Sequence, residues 1–257
     1  MLESELQLRE HLYSFFPTLK PLPENMEKPI EGLGLARRSF VSGYHEALKT
    51  KRAELPFLFQ NEDPNAAGFM LEGAGMALTI LDEKNNSDVK YLPMLFSGRP
   101  DSDLKLCSIG VGWASARLSK PVNWIPVGIS KEWAPSIANG YGFHQGFFNP
   151  EQFQNPNYFV VDDESMEHFD IGLGRALWFI HNGEVEPIVA VLNNFKPSRQ
   201  PSMWNGIGIA CVFNRDFGKK PELIKHSAGN EAHLMSGFEK AAILKQELTV
   251  SSQIISW

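Results

Sequence analysis

Gly110-Val-Gly-Trp-Ala-Ser-Ala-Arg-Leu118 is the stretch that decides the fold of this chain. Its Gly-x-Gly returns at Gly32/Gly34, Gly73/Gly75, Gly140/Gly142, Gly172/Gly174 and Gly206/Gly208. The intervals, about thirty to about forty-one residues, are those of helical repeat units. Two residues after each second glycine stand Ala36, Ala77, Ala114, His144, Ala176 and Ala210. Positions two before and two after that glycine share one helix face, and the glycine itself points roughly the opposite way. Both flanks of each helix are therefore stripped of bulk. Every interior glycine costs a helix ~0.5–1 kcal/mol relative to alanine, a loss that close approach of neighbouring helices on two sides would offset.

The pattern predicts an all-α, single-domain α/α helical-repeat array, a ring or solenoid of about six Gly-x-Gly helices with few or no strands. Helices are expected near 32–49, 66–81, 106–118, 133–148, 166–180, 202–213 and 221–245. Pro64-Asn65 and Asn149-Pro150 supply boundary signals. Residues 1–30 read as a short helix over 2–16 and a Pro-rich link, and 31–245 as the helical array. The best strand candidate is 158–161.

A third face, three before and one and five after the second glycine, carries Ile109, Trp113 and Arg117, then Asn139, Phe143 and Phe147. Ile171, Arg175 and Phe179 follow, then Asn205, Ile209 and Phe213; earlier units place Glu31, Leu35 and Ser39, then Glu72, Met76 and Ile80 on it. Such a face, turned toward a central cavity, makes an apolar pocket from Trp113, Phe143, Phe147, Phe179 and Phe213.

The 257 residues are enough for one core, and an apolar share of 43% with 21% charged residues disfavours both disorder and a membrane protein. A net charge of −6 argues against nucleic acid as a partner. With no long apolar run and a polar, acidic start, the cytosol is the expected compartment. Cys107 and Cys211 stand singly in apolar stretches and read as buried thiols.

The strings Gly32-Leu-Gly-Leu-Ala-Arg-Arg-Ser-Phe40, Leu71-Glu-Gly-Ala-Gly-Met76, Gly140-Tyr-Gly-Phe-His-Gln-Gly-Phe-Phe148, Gly172-Leu-Gly-Arg-Ala-Leu-Trp-Phe179 and Trp204-Asn-Gly-Ile-Gly-Ile-Ala210 join the opening stretch in order. Together they resemble a family of unknown function whose members accompany enediyne polyketide synthases and other bacterial biosynthetic gene clusters. That resemblance covers about residues 32 to 237 and implies a place in specialised metabolism, without a reaction.

His144, in the slot that is alanine in the other five units, is the first candidate for acid/base chemistry; the alternative is a core histidine. Glu72, beside Phe69-Met70-Leu71, has a raised pKa suited to proton donation if buried alone, or an ion pair with Arg37, Arg38, Arg117 or Arg175. Arg117 and Arg175 are candidates to hold an anionic end of a ligand, or to pair with acids. Asp162-Asp163-Glu164-Ser165-Met166-Glu167 has the look of an acidic magnesium-binding motif, but it precedes a helix, where acids serve as caps and dipole partners. None of the Gly-x-Gly pairs has the remaining features of a dinucleotide fingerprint.

These residues lead to three readings. The first is a biosynthetic enzyme acting on a hydrophobic polyene or isoprenoid-like intermediate, with Glu72 and His144 as acid and base and no cofactor or metal. The second is a non-catalytic adaptor that binds a synthase, a carrier protein or an unstable intermediate. The third is a magnesium-dependent prenyl or terpene-type enzyme. An enclosed apolar cavity favours small-molecule chemistry; an open groove favours a protein partner.

Overall fold

The computed structural model describes residues 2–14, 31–85 and 87–254. Helices follow one another along the chain: α1 (Leu2–Ser14), α2 (Glu31–Lys49), α3 (Pro64–Lys84), α4 (Leu92–Phe96), α5 (Asp101–Arg117) and α6 (Ala134–Phe148). After these come α7 (Asp163–Ile180), α8 (Val185–Leu192), α9 (Gln200–Phe213), α10 (Lys220–His226) and α11 (Glu231–Ile254), with short 3₁₀ turns between several of them. No strand occurs among the described residues, and the molecule is all-α.

Local chemistry sets the ends of these helices. Asp63 caps α3 by accepting from the Asn65 backbone N–H at 2.8 Å, and Pro64 takes the first helical position, where its missing donor costs nothing. Asp162 caps α7 in the same way, accepting from Ser165 N–H at 2.9 Å. Capping is thus the role of the acidic run 162–167 that the geometry displays. At the other end, α5, α7 and α9 stop alike: Ser119, Asn182 and Arg215 turn left-handed. The N–H one residue further on then reaches back, Lys120 to Ser115, Gly183 to Trp178 and Asp216 to Cys211.

Packing follows the glycines. The large helices dock in the order α2, α3, α5, α6, α7, α9, α11, each against the next. At every junction the contact is backbone to backbone. A methyl on Gly142 would overlap the Phe169 carbonyl oxygen of α7, and one on Gly172 the Asn139 carbonyl of α6. In each full pair the first glycine faces the preceding helix and the second the following one. The glycine Cα–H groups point at these carbonyls, a weak bond worth ~0.5–1 kcal/mol that recurs where helices approach this closely.

Several expectations need correction. Gly32/Gly34 is not the docking pair of the first helix: Gly32 abuts the Asn214 carbonyl at the end of α9, and Gly34 faces only the Arg38 side chain. Gly43 docks α2 against Met70 of α3, and Gly237 docks α11 against Asn205 of α9. Among the described residues seven helices, not six, make the series, because each end helix carries one docking glycine where the others carry two. The helix expected over 221–245 is split into α10 and α11, since Gly229 adopts positive φ (81°) in the turn between them. Residues 158–161 form no strand; Tyr158 closes a 3₁₀ turn begun by Pro156. The helices α4 and α8, not foreseen from the sequence, are short and carry no glycine pair. The Pro-rich link and residues 15–16 of the first expected helix lie outside the described residues.

Cys107 and Cys211 are free and buried, as expected, and burial pushes both thiols up to about 12. No described helix is long and apolar enough to cross a membrane. Besides α9, α11 touches α3 and α5. The outcome is an interior bordered by the third face of the helices.

Candidate functional site

Two cavities occupy that interior, and they share two residues, Glu72 of α3 and Arg175 of α7. Arg175 Nη2 donates to Glu72 Oε1 at 3.0 Å and Nη1 to Asn139 Oδ1 at 2.7 Å. The guanidinium carbon also lies 5.1 Å from the centre of the Phe143 ring. Both partners of the ion pair are buried. Burial raises the Glu72 pKa, and the Arg175 charge and hydrogen bond pull it back without cancelling the rise. The two alternatives for Glu72, a lone proton donor or a paired ion, are therefore combined: it is paired, and still harder to ionise than an ordinary glutamate.

On one side of the pair lies an aromatic chamber. Phe40, Trp113, Phe143, Phe147 and Phe179 line it, with Phe69, Phe148, Ala36 and Arg37 completing the wall. The rings nearly fill it. Trp113 stacks on Phe143 at 4.8 Å and lies 4.7 Å from Phe40, and Phe179 meets Phe143 edge-on at 5.2 Å. About 50 Å³ remains open, so a ligand of any length displaces rings to enter. The Trp113 indole N–H has no hydrogen-bond partner among the described residues.

The second cavity, about 300 Å³, lies on the other side. Ile109, Ile171, Ile209 and Phe213 make apolar walls, and Asn139 and Asn205 add amides near the Glu72–Arg175 pair. Lys105, His168 and Lys240 also line it, the two lysines being exposed to solvent. Each helix contributes a stripe at i, i+4 spacing, such as Asn205, Ile209 and Phe213 on α9 or Lys240 and Leu244 on α11. Asn205 is 4% exposed; its Nδ2 donates to the His233 carbonyl at 3.1 Å, and its Oδ1 accepts nothing.

The structure thus gathers six of the nine sequence candidates, Glu72, Arg175, Trp113, Phe143, Phe147 and Phe179, around the aromatic chamber, and puts Phe213 in the larger cavity. His144 and Arg117 line neither. His144 is buried between Trp113, edge-on at 6.0 Å, and Phe148 at 4.6 Å, and neither ring nitrogen has a hydrogen-bond partner. Burial, with the Arg117 charge adding, lowers its pKa to about 3. Arg117 itself is exposed at the end of α5.

Other lining residues were not evident from the sequence. Phe40 stands three before Gly43, the same position as Glu72, Ile109 and Asn139 relative to their glycines. Lys240 occupies the position of Trp113, Phe143 and Arg175 once α11 is aligned on Gly237. That single glycine was the available signal. Among the described residues no group of three or more His, Cys, Asp and Glu side chains is placed to hold a metal ion.

Comparison with protein-family models gives one finding: residues 20–247 match the family described as "Protein of unknown function (DUF1702)", and the chain belongs to it. Neither the curated proteins nor the solved structures gave a match.

Proposed function

We propose that this member of the DUF1702 family is a biosynthetic enzyme of specialised metabolism. It takes a hydrophobic polyene or isoprenoid-like intermediate into its interior and isomerises or cyclises it by proton transfer at Glu72. The observation that carries this reading is the Glu72–Arg175 pair, buried where the aromatic chamber adjoins the larger cavity. A carboxyl that burial makes harder to ionise is suited to give a proton to carbon and take one back.

In the proposed step Glu72 protonates one carbon of a double bond, leaving positive charge on its neighbour. Once the ligand has parted the rings of the chamber, the freed face of Trp113 attracts that charge. Loss of a proton from an adjacent carbon to the Glu72 carboxylate then yields an isomer, or a cyclised isomer when a second double bond has attacked first. Atoms and electrons balance without an oxidant or reductant. Both Nη groups of Arg175 are engaged by Glu72 and Asn139, so its part is to orient the carboxyl rather than to hold an anionic end of the ligand. His144 is left out of the proposed step because it lines neither cavity. Support for an interior ligand over an adaptor surface comes from the inward direction of the polar groups, Asn139, Asn205 and the ion pair.

The test is an allele exchange in the producing organism. A Glu72→Gln protein keeps the hydrogen bond from Arg175 and loses the proton; it is expected to accumulate the same intermediate as a gene deletion while the purified variant retains its helical content. Unchanged product would remove Glu72 from the reaction.

A further inference from the structure

The larger cavity has a charge that the molecule as a whole does not. Across 257 residues the chain carries a net charge of −6, yet the cavity lining holds Lys105, Lys240 and Arg175 against a single carboxylate, Glu72, which Arg175 already pairs. Lys105 and Lys240 belong to different helices, α5 and α11, which touch each other. The neighbouring acid Glu167 is not part of the lining. Two solvent-exposed lysines therefore border a largely apolar space, with no acid among the described residues of its wall left to neutralise them.

A buried polar atom of the same lining points to a ligand independently. Asn205 Oδ1 is buried and unpartnered in the same wall, an acceptor whose desolvation nothing in the protein offsets. Its Nδ2 is fixed by the His233 carbonyl, which sets the orientation of the amide. The apolar part of the wall includes Leu106, Ile109, Ile171, Ile209, Phe213 and Leu244. Exposed cations, apolar walls and a lone buried acceptor thus line one cavity.

We infer that this cavity binds an anionic amphiphile, with its charged head between Lys105 and Lys240 and its chain running inward along Ile109, Ile171 and Ile209 toward Glu72. A hydroxyl or other donor on that chain satisfies Asn205 Oδ1. The inference deepens the proposed function, on which it rests, by giving the intermediate a carboxylate or phosphate end; at about 300 Å³ the space suits one chain, not a two-tailed lipid. Apolar burial supplies affinity, and the lysines fix which end enters first.

Fluorescence titration of the purified protein with cis-parinaric acid, a conjugated-polyene fatty acid, tests it. Saturable binding is expected, with the methyl ester of the same chain and the Lys105→Glu/Lys240→Glu variant each weaker by about tenfold or more. Both lysines are exposed, so the double variant keeps its fold, which circular dichroism verifies. Displacement by an alkyl phosphate more strongly than by the matching carboxylate would support the inference and assign the head as phosphate. Equal binding of acid and ester, or unchanged binding by the double variant, would overturn it. Glu72→Gln separates the two claims, because it is still expected to bind the acid more tightly than the ester. If it does so while product formation is also unchanged, the catalytic reading fails and the binding site stands. Loss of product, with no acid binding by either the wild type or the variant, leaves the catalytic reading in place and removes the binding site.

Discussion

His144 shows what a single residue contributes when its surroundings offer no partner. Its imidazole lies among Trp113 and Phe148 with both nitrogens unbonded, and its pKa falls from 6.5 to about 3 because the charged form would be buried without compensation. The unfolded chain binds a proton there near pH 6.5 and the native one does not. This residue therefore stabilises the fold fully above pH 6.5, and the contribution drains away as pH falls toward about 3. Between pH 7 and pH 4.5 a His144→Leu variant is expected to lose ~2–3 kcal/mol less stability than the wild type, measured by urea unfolding at the two pH values. Equal losses would mean that the imidazole is solvated. The variant is also expected to form product. The interruption of the alanine pattern was legible in the sequence; whether it marked chemistry or packing was not, since that depends on what α5 presents to the ring.

At the level of the helix, the docking glycines do the organising. Gly34 and Gly43 lie in the same helix, and the structure gives them opposite roles. A methyl on Gly43 would overlap the Met70 backbone, whereas one on Gly34 would meet only the flexible end of Arg38, at 3.1 Å. Gly43→Ala is therefore expected to cost at least ~2 kcal/mol through forced separation of α2 and α3, and Gly34→Ala to gain ~0.5–1 kcal/mol through helix propensity. Chemical denaturation of the two variants decides it; destabilisation by Gly34→Ala with a neutral Gly43→Ala would move the docking contact back to Gly34. Helix positions and glycine flanks could be read in advance because both follow the helical period. Docking at the two ends could not. An end helix has one neighbour at backbone distance, so the slot paired with Gly43 holds Val41 and the slot paired with Gly237 holds Glu239, and a search for Gly-x-Gly finds neither.

For the molecule as a whole, close docking leaves each helix a free third face, and these faces together line the interior. The sequence revealed residues of this face on α3, α5, α6, α7 and α9, and Glu72, Arg175, Trp113 and Phe143 were accordingly found together; Leu35 and Ser39, expected on the same face of α2, line neither cavity. It carried no sign that Glu72 and Arg175, 103 positions apart, would join across the space, nor that Lys105 and Lys240 would line one cavity. Those relations come from tertiary packing, which no local period encodes. A protein that acts on a ligand held inside must fail when that space is filled. Ile209→Trp places an indole into the open volume of the larger cavity and leaves Glu72, Arg175 and both lysines unchanged. Metabolite profiling of a producing strain that carries this allele is predicted to match the gene deletion, with the purified variant at least as stable as the wild type; normal product formation around a filled cavity would contradict an interior site.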